Sequence, residues 1–134
     1  MGAVDPERGD RPTILLLEDD PAVATSLVRF LERMGMRVLL APTPSAALET
    51  AGTHPEHIDL LLSDVVLPEM SGPEAADRIM QIRPGIRVLF MSAYLEADLL
   101  DRGEAVFRGD FINKPFELSD LLERIQAILA DANR

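Results

Sequence analysis

Asp59-Leu60-Leu61-Leu62-Ser63-Asp64 is the stretch on which the fold turns. Its centre is apolar at every position, not at every second one. A strand with water on one face alternates; a strand covered on both faces does not, and such strands belong to parallel sheets. This one ends on a carboxylate. Upstream, Thr13-Ile14-Leu15-Leu16-Leu17 is a run of the same kind, followed by Glu18-Asp19-Asp20-Pro21. Ile86 to Met91 is a fourth run downstream, with Arg87 near its start. Met36 to Leu40 is broken by Arg37 and reads as an edge strand, and Asp110 to Asn113 is a short fifth run.

Segments of helical period separate these runs. Asp20-Pro21 and Thr43-Pro44 each place a capping side chain before a proline at the first helical position. After Asp20, the residues Val23, Leu27, Phe30, Leu31 and Met34 recur on one face, and Gly35 ends the helix. After Thr43 a short helix runs to about Ala51, and Gly52 to His57 form a loop. Ser71-Gly72-Pro73-Glu74 opens a helix expected to bury Ala75, Ala76, Ile79 and Ile82. Leu95 to Phe107 is the weakest helix on pattern, diluted by Gly103 and charges. Leu118, Leu121, Leu122, Ile125, Ile128 and Leu129 give the cleanest amphipathic helix. The order is five βα units, which implies an α/β, doubly wound parallel sheet with right-handed crossovers and helices on both faces.

At 134 residues the chain is the size of one domain, with 47% hydrophobic residues to build its core. The expected bounds are a disordered tail or linker over residues 1–12 and a folded domain over 13–131. A formal net charge of −10 repels nucleic acid phosphates, so direct DNA binding is not expected, and cationic partners or a metal ion are. Without cysteine there is no disulfide, thiolate nucleophile or cysteine–zinc site. No apolar run reaches membrane-spanning length, and Met1 to Arg11 lacks the apolar core of a signal peptide. A cytoplasmic chain with no membrane contact is the expectation.

In an open parallel sheet the site forms beyond the carboxyl ends of the strands. The residues that stand there are Glu18, Asp19 and Asp20 after the first strand, Asp64 ending the third, Ser92 and Ala93 after the fourth, and Lys114-Pro115 after the fifth. Carboxylates held together raise one another's pKa or demand a cation. Oxygen-only ligands suit a hard ion such as Mg²⁺. Lys114 adds a compact positive charge and Ser92 a hydroxyl donor. A nucleophilic Asp64, a metal, a cation and a hydroxyl suffice for phosphoryl transfer, which needs mainly positioning and charge neutralisation. Each residue alone has a plainer reading: Asp20 as a helix cap, Asp64 as a turn residue, Lys114-Pro115 as a solvated turn. Their joint placement at the strand ends favours a site.

At these residues the chain resembles the receiver domain family of two-component signalling. The resemblance runs from about Thr13 to Leu129. It is carried by Ile14 to Asp20, by Asp59-Leu60-Leu61-Leu62-Ser63-Asp64-Val65-Val66-Leu67-Pro68-Glu69-Met70-Ser71-Gly72, by Val88 to Ala93, and by Phe111-Ile112-Asn113-Lys114-Pro115-Phe116. It implies a flavodoxin-like fold with strand order 2-1-3-4-5. It implies that Asp64 is the phosphorylated residue, a 4-aspartylphosphate. Glu18, Asp19, Asp64 and the Val66 backbone carbonyl would hold Mg²⁺, with Glu18 acting through water. Ser92, the Ala93 backbone and Lys114 would bind the phosphoryl group. Ser92 and Phe111 would form the switch, and the peptide bond before Pro115 would be cis. Ser63 to Glu74, followed by Arg83 to Tyr94, resembles receivers at the C-terminus of hybrid sensor histidine kinases; a freestanding single-domain response regulator fits the length equally.

The resemblance further implies a donor partner, a histidine kinase or a histidine phosphotransfer protein. It implies a chain that catalyses its own phosphorylation and slow dephosphorylation, as a monomer or weak homodimer. Two other classes remain open. A Mg²⁺-dependent phosphatase would carry a second Asp where Val66 stands. A pseudo-receiver serving only for docking would have no use for the full set Glu18, Asp19, Asp64, Ser92 and Lys114.

Overall fold

Leu60, Leu61 and Leu62 are wholly buried at the centre of a five-stranded parallel sheet. The computed structural model describes residues 11–94 and 110–132. The strands are β1 (Thr13–Leu17), β2 (Arg37–Ala41), β3 (Leu60–Asp64), β4 (Arg87–Ser92) and β5 (Asp110–Asn113). The described helices are α1 (Pro21–Arg33), α2 (Pro44–Thr53), α3 (Gly72–Ile82) and α4 (Leu118–Ala132). The strand order is β2-β1-β3-β4-β5, with every pair parallel. The helix expected over Leu95 to Phe107 lies outside the described residues, as does the tail up to Asp10. Among the described residues no helix is long and apolar enough to cross a membrane.

Strand alternation divides the core in two. Leu15, Leu17 and Leu61 face Ala47 and Ala51 of α2 and Ala75, Ala76 and Ile79 of α3. Ile14, Leu16, Leu60 and Leu62 face Leu27 and Leu31 of α1 and Leu121, Ile125 and Ile128 of α4. Each fully buried leucine contributes roughly 1.5–3 kcal/mol, so the continuous apolar runs are the main source of stability.

Local chemistry sets the helix ends. Asp20 Oδ1 accepts from Ala22 N at 2.9 Å, Thr43 Oγ1 from Ala46 N at 3.1 Å, and Ser71 Oγ from Glu74 N at 3.2 Å. A proline stands in the first turn of all three helices. Gly35, at φ 90°, closes α1: its amide donates to Glu32 O at 3.0 Å, while Met36 N donates to Leu31 O at 3.0 Å. This pair of bonds is the Schellman arrangement, which needs the left-handed residue that glycine supplies.

Some sequence expectations shift. The edge strand runs from Arg37 to Ala41, one residue later than the apolar run, because Met36 belongs to the Schellman turn. Likewise β4 ends on Ser92, one residue past its apolar run. Helix α2 continues through Gly52 to Thr53, whose hydroxyl donates to Glu49 O at 2.8 Å. Ile82, expected to be buried, is 45% exposed, since α3 ends there beyond its contact with the sheet. Met34 and Leu118 are exposed for the same reason, one as the C-cap of α1 and one as the first residue of α4.

Candidate phosphoacceptor site

Parallel register brings the carboxyl ends of the strands to one rim. Leu17 lies opposite Ser63, Asp64 opposite Met91, and Ser92 opposite Asn113. The next residue along β1 is therefore Glu18, beside Asp64, and the next along β5 is Lys114. Glu18 and Asp64 are both buried, Asp64 with 6% of its surface exposed, while Asp19 stands exposed at the mouth. Lys114 Nζ lies 2.7 Å from Asp64 Oδ1 and 2.9 Å from Glu18 Oε1. Glu18 Oε2 accepts from Asp20 N at 3.1 Å. Carboxylate oxygens of Glu18, Asp19 and Asp64 all lie within 4.8 Å of one another.

The electrostatics follow from burying two carboxylates around one ammonium. Burial pushes the Asp64 carboxyl up, to about 8, and the adjoining Glu18 pushes the same way; Lys114 opposes without cancelling. Burial also raises Glu18, but hydrogen bonds from Asp64, Lys114 and the Asp20 amide outweigh it and hold Glu18 below the usual carboxylate range. For Lys114, burial favours the neutral amine, and the bonds to Asp64 and Glu18 more than reverse this, so its ammonium is strengthened. Such a cluster is short of positive charge. Its donors are all carboxylate oxygens, with no imidazole or thiolate, which fits a hard divalent ion such as Mg²⁺.

Ser92 ends β4 and is buried. Its Oγ accepts from Tyr94 N at 2.9 Å, and Lys114 N donates to its carbonyl at 2.8 Å. The Asn113 side chain spans the same turn, donating to Tyr94 O at 2.8 Å and Ser92 O at 3.3 Å. Ala93 is exposed and borders an open, mostly apolar groove of about 650 Å³ between α1 and the start of α4, with Val23, Lys114 and Phe116 among its walls. Phe111 is half-buried against the α2/α3 half of the core. It pairs with Phe90, so it sits diagonally from Ser92 on the same sheet face. The peptide bond between Lys114 and Pro115 is cis.

The loop after β3 is pinched shut. Gly72 N donates to Val65 O at 2.7 Å, and Val65 N donates to Met91 O at 3.0 Å. A Cβ on Gly72 would lie 1.9 Å from Asp64 O, so only glycine lets α3 start this close to the acidic strand end. Val66 lies just past the neck and is 41% exposed.

The geometry thus joins Glu18, Asp19, Asp64 and Lys114, and sets Ser92 beside the turn that carries Lys114. Sequence reasoning missed the direct bond from Lys114 to Glu18, the Asn113 brace and the close approach of Gly72. No local signal marks them: a glycine before a helix-opening proline reads as an ordinary helix start. It also missed Arg83, whose guanidinium donates to Ala51 O at 2.7 Å, Glu56 O at 2.8 Å and His54 O, tying α3 to the α2–β3 loop at the opposite rim.

Known proteins resemble the chain in sequence and fold. The chain is 34% identical to the response regulator receiver protein CpdR of Brucella abortus (strain 2308), over 89% of this chain and 98% of that protein. It is also 34% identical to the sensor kinase CckA of the same organism, over 87% of this chain but only 12% of the kinase. The crystal structure of the receiver domain from hybrid histidine kinase CckA superimposes with a TM-score of 0.75 at 31% identity, covering 87% of this chain and 98% of that one. A CheY-like response regulator receiver domain protein from Methanospirillum hungatei JF-1 gives a TM-score of 0.78 at 29% identity, over 92% and 98% of the two chains. The family model described as response regulator receiver domain matches residues 14–126, a span that takes in every rim residue from Glu18 to Lys114. With that span, this strand order and these relatives, the chain belongs to the response regulator receiver domain family.

Proposed function

We propose that the chain is a phosphoacceptor switch, taking a phosphoryl group from a phosphohistidine onto Asp64 with the help of Mg²⁺. The single observation that carries this is Lys114 Nζ standing 2.7 Å from Asp64 within the acidic cluster of Glu18, Asp19 and Asp64. Glu18, Asp19, Asp64 and the Val66 carbonyl would hold the ion, with Glu18 acting through water. When bound, Mg²⁺ neutralises charge between the attacking carboxylate and the transferred group.

A carboxylate oxygen of Asp64 attacks phosphorus. The bond to the donor imidazole breaks, its electron pair stays on the ring nitrogen, and that nitrogen takes a proton. The product is an acyl phosphate on Asp64. The Lys114 ammonium donates to one phosphoryl oxygen, the Ser92 hydroxyl to another, and the Ala93 amide to a third. Drawing Ser92 toward the new group disturbs its turn with Tyr94, and Phe111, diagonal to Ser92, moves into the vacated space. The switch is a shift between two populations driven by these differential contacts.

The donor would be a histidine kinase or a histidine phosphotransfer protein in the cytoplasm, and the chain the receiver of a hybrid histidine kinase. Similarity to the receiver of CckA supports that setting. A freestanding regulator is the second reading, favoured by the match over 98% of CpdR. The chain would act as a monomer or weak homodimer, without direct contact to DNA or membrane. Val66 and Tyr94, both exposed, would flank the route of the hydrolytic water and slow hydrolysis; a half-life of seconds contradicts that point.

The test is labelling by radiolabelled phosphohistidine donors or acetyl phosphate, with Asp64→Ala as control. Wild type is expected to take label and the variant none. Equal labelling of Asp64→Ala refutes the assignment, and release of phosphate from small substrates at enzymatic rates would favour a phosphatase instead.

A further inference from the structure

The loop from Val65 to Gly72 is fastened beyond its neck. At its tip Met70 N donates to Pro68 O at 2.8 Å across Glu69, whose φ is 72°. A hydrogen bond that spans one residue at positive φ is a γ-turn of the rarer, strained hand. Among the described residues Glu69 alone adopts positive φ without being glycine. Its side chain then leaves the loop. Glu69 Oε1 accepts from Ser45 N at 3.1 Å and from Ser45 Oγ at 2.7 Å. Ser45 lies in the first turn of α2, where amides lack acceptors within the helix and an anion is favoured.

Glycine would form this tip without strain. It could not make the two bonds to Ser45. A strained residue persists where its surroundings over-determine it, and such residues gather at functional sites. Leu67 and Met70 hold the inner side of the loop against the core. The outer side carries Val66, Pro68 and Glu69, all exposed, and there the Glu69 carboxylate supplies the polar tether. Helix α2 is a firm anchor, since Ala47 and Ala51 are buried in the core.

We propose that Glu69 is a positioning residue: its carboxylate latches the loop tip to α2 and thereby holds the Val66 backbone carbonyl where the metal site uses it. The proposal rests on the phosphoacceptor reading above. It acts through Val66, with no contact between Glu69 and the ion.

The test titrates Mn²⁺ into the full chain by electron paramagnetic resonance, with Mg²⁺ as competitor, and follows thermal unfolding and amide exchange over residues 66–71. Glu69→Gly relieves the strained φ, so its melting temperature should equal or exceed that of wild type, while Mn²⁺ affinity falls about tenfold. Glu69→Gln keeps an oxygen that accepts both bonds and should retain most of the affinity. Ser45→Ala keeps the amide donor and should lose less than Glu69→Gly. A loop residue of merely structural worth moves melting temperature and affinity together; here they part.

Wild-type affinity in a folded Glu69→Gly chain, with unchanged exchange at residues 66–71, overturns the latch. Should that variant not fold, Ser45→Ala decides alone, and undiminished affinity there overturns it equally. If Asp19→Asn leaves Mn²⁺ binding unchanged, the phosphoacceptor reading itself fails and the latch with it. If Asp19→Asn abolishes binding while the latch variants do not weaken it, only the latch fails.

Discussion

Asp64 is buried beside Lys114, and the role proposed for it, as a nucleophile, needs it ionised. Its folded-state value, about 8, lies above the ordinary 3.8, so folding favours the neutral acid. That contribution is fully present below about pH 4 and is lost as pH rises toward 8. Glu18 runs the other way: its depressed value contributes above the ordinary 4.5 and is lost as pH falls through the folded value. In chelator, wild type should therefore lose stability from about pH 5 to pH 8, a slope that Asp64→Asn removes. At pH 8 we expect Asp64→Asn to raise stability by about 1–2 kcal/mol, since it discharges one member of a crowded buried cluster. Thermal melts across a pH series check this, and a variant as pH-sensitive as wild type refutes it. Gly72→Ala forces a methyl to within 1.9 Å of Asp64 O. It should cost about 1–3 kcal/mol and slow Asp64 labelling, whereas an unperturbed melt would mean that the loop yields freely.

Among the elements, the strands were the most legible. Leu60 to Leu62 could be read as a central strand because burial on both faces leaves the same mark on every position. The caps at Asp20, Thr43 and Ser71 were legible because they are short-range bonds between near neighbours. Ile82 was misplaced because the pattern fixes a helix's face but not where its neighbours stop covering it. Glu18, Asp64 and Lys114 could be found because strand ends converge by topology; the bond from Lys114 to Glu18 could not, because side-chain reach decides it. Arg83 was invisible for a related reason: its acceptors are backbone carbonyls, which carry no residue code. Arg83→Ala should cost about 1–3 kcal/mol by stranding three carbonyls, with faster amide exchange over residues 52–58. Arg83→Lys should restore little, because a point charge cannot reach three acceptors as a planar fork does. Equal melting of the lysine and wild-type chains would show the fork to be dispensable.

At the scale of the whole molecule, a net charge of −10 and an acidic cluster at one rim favour the approach of cations over anions. Mg²⁺ at a hundred times its dissociation constant should stabilise the chain by about 2.7 kcal/mol. The rise in melting temperature should vanish in Asp19→Asn and Asp64→Asn; a rise that survives both would place the ion elsewhere. The bridge from Lys114 to Glu18 joins residues 96 positions apart. Ribosomal synthesis is vectorial, so the two buried acids exist long before the amine that balances them. A nascent chain halted before β5 would hold Glu18 and Asp64 face to face without compensation. The rim would therefore mature only when the fifth strand docks, and on the function proposed above competence to accept a phosphoryl group would report on finished folding.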